Sequence, residues 1–274
     1  VSLSGGNDKT KFYASLNYLN DEGTRKESGF SRWNANFKVT QQINKKLTAD
    51  FDIRYNETQI TGTGYGNATS AYQFRPIDNP LGDPEFTSGF GNGNVNVEEY
   101  GSPLLYLNTT DNIRKNYRLR GSSSLTWKVI EGLTAKTELS MNRNWSDTKT
   151  WNAGQTDKDA SSAKLVKGDG YGLRWATTLN YEVQGLGDDN SLSFLLGNEL
   201  LSSKSNSSEI YGLGYPEGFT MDDAFGMINM TDATLSGSYF SSNVGVPNRT
   251  VSWFGRANYS YKGKYLLTAT FRAD

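Results

Sequence analysis

The most regular feature of the sequence is an alternation of apolar and polar side chains in its last part. From Val251 to Tyr261 one set of alternate residues is apolar or small, and the other set is mostly polar. A period of two indicates a β-strand, because successive side chains point to opposite faces of the pleat. Residues 262–264 (Lys-Gly-Lys) predict a tight turn, and residues 265–272 repeat the alternation. The pattern predicts a hairpin with one apolar face and one polar face.

The same alternation recurs along the rest of the chain. It is strongest in Leu47–Tyr55, where apolar residues alternate with threonine, two aspartates and an arginine. Further strands are predicted at about 11–19, 30–40, 117–128, 133–145, 173–183 and 192–201. Each would place its apolar residues on one side and its polar residues on the other.

The predicted connections are alternately short and long. The short ones lie at 6–10, 43–46, 129–132, 184–190 and 262–264. The long ones lie at about 57–115, 146–170 and 202–248, with a smaller one at 20–29, and the last long one is expected to hold a short helix near Asp222–Met227. Outer-membrane barrels have short turns at one edge and long loops at the other. The sequence therefore predicts an all-β, antiparallel up-and-down transmembrane β-barrel, of which residues 1–274 form part as one domain.

Composition narrows the classes of function. Only 35% of the 274 residues are apolar, and the mean hydropathy is -0.63, which fits barrel strands whose apolar residues occupy every second position. A net charge of -1 gives no reason to expect nucleic-acid binding. The chain has no cysteine and no histidine, so thiolate metal sites are excluded and the commonest acid/base group is missing. We predict no catalytic residues, no metal and no cofactor.

Several of these segments resemble one family of membrane transporters. The matching segments are GGNDKTKFYASLNY at 5–18, residues 30–55, SWFGRANY at 252–259 and YLLTATFRAD at 265–274. They resemble the starch-utilisation (SusC-like, RagA-like) branch of TonB-dependent outer-membrane transporters of the Bacteroidetes. The resemblance implies a 22-stranded barrel with an N-terminal plug, of which this chain would supply roughly ten strands. The plug and the closing strands would lie outside residues 1–274, and both ends read as positions inside a longer protein.

The resemblance also implies partners and a transport function. A SusD-like surface lipoprotein would cover the barrel, and the TonB complex would supply energy through parts of the protein outside this chain. We expect active import of glycan oligomers across the outer membrane, with lipid around the barrel and no catalysis. A peptide importer of the same family is the first alternative. A passive porin or surface-binding barrel is another, and a soluble β-sandwich that binds carbohydrate is a third.

Two groups of residues are candidates for function. The first comprises charged residues predicted to face the lumen, where salt-bridge ladders and water are the default surroundings: Arg32, Asp50, Asp52, Arg54, Arg118, Arg120, Arg174 and Arg256. The second comprises aromatic residues of the long connections, whose flat rings suit the apolar faces of sugars but could equally pack a loop: Tyr65, Tyr72, Phe74, Phe90, Tyr100, Tyr211 and Tyr215.

Overall fold

A computed structural model describes residues 1–24, 27–62, 109–154 and 160–274. Within these residues the chain forms one 11-stranded antiparallel sheet and a short helix. The elements are β1 (Ser2–Gly6), β2 (Thr10–Glu22), β3 (Gly29–Gln42), β4 (Leu47–Thr61), β5 (Thr110–Ile130), β6 (Leu133–Asn152), β7 (Ser162–Glu182), β8 (Asn190–Leu213), α1 (Met221–Gly226), β9 (Tyr239–Val244), β10 (Asn248–Tyr261) and β11 (Tyr265–Ala273).

The sheet is a meander in which nearly every strand pairs with the next strand in sequence. The order runs β1 to β8, then β10 and β11, and β9 pairs with β8 beside β10. Strands β1 and β11 are the two edges, so the described sheet is not closed. In the β10–β11 turn, Lys262 has φ 54° and Gly263 has φ 64°, as a type I′ hairpin turn requires. The predicted all-β antiparallel architecture and its final hairpin are confirmed.

Strands β9 and β10 behave as one strand interrupted by a bulge. Val244 pairs with Asn206 of β8, whereas Asn248 pairs with Ser203, so four steps on one strand match three on the other. Pro247 lies within this interruption, and proline has no N–H to give to a sheet. Because side chains alternate, the extra residue exchanges the faces to which odd and even positions point.

Several strands run on into segments that were predicted as loops. Strand β6 continues to Asn152, β7 begins at Ser162 and β8 continues to Leu213, so the connections predicted at 146–170 and 202–248 are too long. Strands β4 and β5 likewise extend the sheet to Thr61 and from Thr110, into the connection predicted at 57–115. In these extensions most residues of both faces are polar, so the alternation of apolar and polar residues fades while backbone pairing continues.

The predicted short helix is confirmed as α1. Thr220 is its N-cap: the Thr220 side-chain oxygen accepts a hydrogen bond from the Asp223 N–H at 3.3 Å, and the Asp223 carboxylate accepts one from the Thr220 N–H at 3.0 Å. This reciprocal capping box fixes the first turn of a helix too short to be stable alone. None of the helices in the described residues has the length and apolar character to cross a membrane.

Candidate functional site

Cross-strand register assigns the side chains of the sheet to two faces. We call the face that carries Phe37, Leu139 and Trp253 the apolar face, and the opposite one the polar face. One cross-strand row of the apolar face contains Phe12, Val39, Phe51, Ser123, Leu139, Trp175, Leu200 and Val251. The adjacent row of the polar face contains Tyr13, Lys38, Asp52, Ser122, Ser140, Arg174, Leu201 and Thr250.

The apolar face is exposed over most of its area. Leu196 is 62% exposed, Trp253 61% and Phe271 68%. A β-sandwich would cover such a face with a second sheet about 10 Å away, but the described residues form a single sheet. A contiguous apolar surface of this extent is unfavourable in water and favourable in contact with acyl chains.

We call the apolar part of this face the apolar belt, and its upper end is the one nearer the long connections. Aromatic rings mark that upper end. The Tyr18 and Trp33 ring centroids are 4.4 Å apart, and those of Tyr117 and Trp145 are 5.5 Å apart. All four residues lie in one cross-strand row. On β5 this row is ten positions from Trp127 near the short-turn edge, or about 34 Å along the strand. At a tilt of about 40° that length spans about 26 Å, close to the apolar band of an outer-membrane barrel.

The tilt follows from the stagger of the belt. The row through Trp33 on β3 crosses five strand pairs and reaches Asn206 on β8. On β8, however, the apolar belt ends at Leu200, six residues earlier. Six residues along a strand are about 20 Å, so the upper limit of the belt is staggered across the sheet, as it is where strands are tilted. Tilted strands of this kind are typical of transmembrane barrels.

A ladder of ion pairs crosses the polar face of the later strands. Arg174 on β7 contacts Glu138 on β6 at 2.9 Å and Glu199 on β8 at 2.5 Å. Arg272 on β11 reaches Glu199 at 3.4 Å and donates a hydrogen bond to the Ser252 hydroxyl at 3.1 Å. The Glu199 side chain is only 12% exposed, so its charge depends on both arginines. This ladder ties four strand pairings together and accounts for Arg174 as a structural residue.

The register places all eight of the predicted lumen-facing residues on the polar face: Arg32, Asp50, Asp52, Arg54, Arg118, Arg120, Arg174 and Arg256. Asp50 accepts hydrogen bonds from Thr40 at 2.6 Å and Ser124 at 3.4 Å. Asp52 forms an ion pair with Arg54 at 2.8 Å. That this face lines a water-filled channel stays a prediction.

The predicted substrate-contact aromatics divide into three groups. Tyr65, Tyr72, Phe74, Phe90 and Tyr100 lie outside the described residues. Tyr211 is on the polar face, and its ring centroid is 5.3 Å from that of Tyr239.

Tyr215 does not fit the prediction. It is 6% exposed, its ring packs edge-on against Trp151 at 5.5 Å, and its hydroxyl donates a hydrogen bond to the Ile228 carbonyl. Burial raises the pKa of its phenol. The position of Tyr215 is that of a packing residue rather than a substrate contact.

The small core around Tyr215 was missed by sequence reasoning. Trp151 and Ala163 belong to the apolar-face side of β6 and β7, above the belt, and α1 packs on them through Ala224. The Lys149 ammonium lies 5.0 Å from the centre of the Phe225 ring. The connection after β8 therefore folds against the outer wall of the strand extensions. The sequence signal that could have predicted this core was Trp151, a tryptophan at the end of a polar stretch.

Sequence reasoning also missed a row of glycines on the polar face. Gly168, Gly170 and Gly172 alternate along β7 and lie opposite Ser207, Ser205 and Ser203 of β8. A Cβ added at Gly172 would lie 2.3 Å from the Asn142 side-chain oxygen. We call Gly168, Gly170 and Gly172 the glycine strip. Glycine at alternate strand positions leaves room for a close approach from that face, and the sequence Gly-Asp-Gly-Tyr-Gly could have predicted it.

Comparison with known proteins identifies relatives of the same architecture. No protein-family model matches the chain. The chain is 26% identical over 285 residues to TonB-dependent receptor P26 of Formosa agariphila, covering 100% of the chain and 27% of that relative. It is 23% identical over 279 residues to TonB-dependent receptor P39 of the same bacterium, covering 100% of the chain and 25% of the relative. The chain thus spans about a quarter of the length of these relatives.

Solved structures show the same fold. The RagAB peptide transporter superposes with a TM-score of 0.77 at 15% identity, covering 99% of this chain and 31% of that one. The open-open state of the RagAB peptide importer superposes with a TM-score of 0.78 at 16% identity, covering 99% of this chain and 30% of that one. The FpvA receptor of P. aeruginosa superposes with a TM-score of 0.59 at 13% identity, covering 99% of this chain and 34% of that one.

Fold and register together define a section of a bacterial outer-membrane β-barrel: tilted antiparallel strands, a lipid-compatible face and an ordered polar face. The chain is similar over its whole length to proteins named as TonB-dependent receptors of a Bacteroidetes bacterium, and it shares its fold with part of the RagAB transporter, so the predicted resemblance is confirmed. The predicted location in the outer membrane is confirmed on the same grounds.

Proposed function

We propose that this chain forms part of the barrel wall of a transporter that actively imports glycan oligomers across the outer membrane. The observation that carries the proposal is the two-faced, tilted sheet, because it separates lipid from an aqueous path. The relatives that match the whole chain are named as TonB-dependent receptors, which supports import driven by the TonB complex. Amide, hydroxyl and guanidinium groups on the polar face could bind sugar hydroxyls.

The proposed mechanism assigns no chemical step to this chain. A SusD-like surface lipoprotein would deliver the oligomer at the long-loop edge and close over it. The TonB complex would then act through a plug encoded elsewhere in the full-length protein and open a path along the polar face. The role of the described residues is to hold the wall rigid while the oligomer passes, which the Glu138–Arg174–Glu199–Arg272 ladder supports.

Uptake of labelled oligosaccharides in the native bacterium tests the proposal. Cells should accumulate a fluorescent oligosaccharide when the full-length gene is intact. Accumulation should stop when the gene is deleted or when TonB is inactivated. Uptake that persists without TonB would favour a passive porin, and surface binding without accumulation would favour a surface-binding barrel.

Peptide import is the second candidate. The RagAB structures, named as a peptide transporter and importer, share the fold over 99% of this chain. Supplying the same cells with labelled oligopeptides distinguishes the two. Accumulation of peptides and exclusion of oligosaccharides would replace glycans with peptides as the cargo.

A further inference from the structure

A cluster of arginines lies on the polar face of the sheet around β5. Arg114, Arg118 and Arg120 point to this face from β5, and Arg54 on β4 lies directly opposite Arg120. Arg32 on β3 lies opposite Thr58, which in turn pairs with Asn116 of β5. We call these five residues the arginine cluster. They occupy four successive rows of the polar face, from Arg54–Arg120 to Ile60–Arg114.

The cluster has almost no compensating negative charge. In these four rows, the described polar-face residues of β3 to β7 include no aspartate and no glutamate. The carboxylates that the neighbouring strands add are Asp21 on β2 and Glu209 on β8, both in the outermost row, and Glu209 is already paired with Lys164 at 2.8 Å. The one ion pair that the structure describes for the cluster joins Arg54 to Asp52, one row closer to the short-turn edge, at 2.8 Å. Arg118 instead donates its Nε–H to the neutral Asn144 side chain at 3.0 Å. Most of the positive charge therefore faces the aqueous side uncompensated by described residues.

The arrangement costs stability in the protein alone. Like charges directly opposite each other on neighbouring strands are destabilising, as Arg54 and Arg120 are. The Nε of Arg32 is a buried atom for which the described residues provide no hydrogen-bond acceptor. Buried donors without an acceptor are uncommon in folded proteins and call for an explanation. A bound anion would supply both the missing charge and the missing acceptor.

The position of the cluster suits a ligand that arrives from outside the cell. Arg54 is next to Tyr55, and Arg118 is next to Tyr117 at the upper end of the apolar belt. The Arg54 side chain is 57% exposed, and Arg114, Arg118 and Arg120 are also exposed. The cluster therefore lies at the outer mouth of the proposed channel rather than deep within it.

Beside the cluster, the wall is free of large side chains. Strand β6 separates β5 from the glycine strip on β7, and on the polar face it contributes Asn142, Asn144 and Ser146 at this level. Beyond the glycine strip β8 contributes serines. An extended oligomer could therefore lie across β6 and β7 while its anionic groups reach the guanidinium groups of β5.

We infer that the arginine cluster binds carboxylate or sulfate groups of the oligomer being imported, so that the cargo of this transporter is anionic. The inference rests on the proposed import function and specifies the class of substrate. Guanidinium groups form bidentate, charge-assisted hydrogen bonds with such oxyanions. The cluster therefore selects charged oligomers over neutral oligomers of equal length.

Binding to the purified full-length transporter in detergent tests the inference. The probes are a galacturonic acid hexamer, a glutamate hexamer and neutral maltohexaose, titrated by calorimetry at low salt. At least one anionic hexamer should bind at least about tenfold more tightly than maltohexaose. Comparing the galacturonic acid hexamer with the glutamate hexamer shows whether the preferred anionic oligomer is a glycan or a peptide. The double substitution Arg118→Gln, Arg120→Gln should remove about tenfold of that affinity per arginine, and maltohexaose binding should be unchanged.

The matched control removes the same charge from the opposite face. Lys204→Gln, Arg249→Gln changes two cations of the apolar-face side just above the belt and should leave the anion preference intact. Equal affinity for charged and neutral hexamers in the wild-type protein would overturn the inference, and so would unchanged anion binding in the arginine variant. TonB-dependent uptake, measured separately, can fail while arginine-dependent binding persists, so the two proposals fail independently.

Discussion

An arginine placed at the middle of the apolar belt should destabilise the barrel far more than one placed on the polar face at the same depth. Leu139 is the midpoint of the β6 belt, which runs from Leu133 to Trp145, and it is 47% exposed on the apolar face. Ser122 is the midpoint between Tyr117 and Trp127 on β5 and faces the polar side, opposite Asp52.

The expected magnitudes differ because the two sites have different surroundings. An arginine at the midplane of a lipid-facing strand costs about 2–4 kcal/mol, which corresponds to a decrease of about 30- to 1,000-fold in the folding equilibrium constant. Leu139→Arg should show this loss. Ser122→Arg places its charge in water next to Asp52 and should change the free energy of unfolding by less than about 0.5 kcal/mol.

Reversible urea unfolding of the full-length protein in lipid vesicles, followed by tryptophan fluorescence, measures both values. Leu139→Ala is the control that separates loss of the leucine from gain of the charge, and it should cost less than Leu139→Arg. Equal losses for Leu139→Arg and Ser122→Arg would refute the assignment of the apolar face to lipid.

Three further outcomes follow from the described contacts. Glu199→Gln should lower the free energy of unfolding by about 1–3 kcal/mol, because it removes the little-exposed carboxylate that Arg174 and Arg272 share, and the urea midpoint should fall more than for Glu138→Gln, since Glu138 is more exposed. Trp151→Ala should cost about 3–5 kcal/mol of local packing, seen as faster proteolysis in the connection after β8 with the belt intact. Hydrogen bonds from Thr220 hold the pKa of Asp223 below its ordinary value. The cap therefore stabilises α1 at and above the ordinary aspartate pKa and is lost as pH falls through the lowered value, so acidification should speed hydrogen exchange in α1, and Thr220→Ala should reduce that dependence.

Sequence reasoning predicted the strands best where lipid lies on one side. Leu47–Tyr55 shows the alternation because its two faces meet different solvents, and the structure confirms β4 there. Beyond Trp145 the outward positions of β6 become Asp147 and Lys149, which lie above the apolar belt, and the alternation stops although the strand continues to Asn152. Hydrophobic periodicity reports a difference between two environments and not the backbone pairing itself.

Some features depend on contacts that no local pattern encodes. Strand β9 has a serine-rich sequence and was missed, because its place is determined by pairing with the end of β8. The burial of Tyr215 arises from a contact with Trp151, more than sixty residues earlier. The arginine cluster was predicted in part. The alternation of side chains indicated which face the arginines occupy, but only the strand register shows that Arg54 and Arg120 are opposite each other.

The unequal strand ends make the outer edge of the described sheet oblique. Strand β2 stops four residues past Tyr18, whereas β8 continues thirteen residues past Leu200. Nine extra residues are about 30 Å of strand, or about 23 Å of height at a tilt of about 40°. Under the proposed function, a rigid cap that rests on these strand ends would sit higher over β8 than over β2.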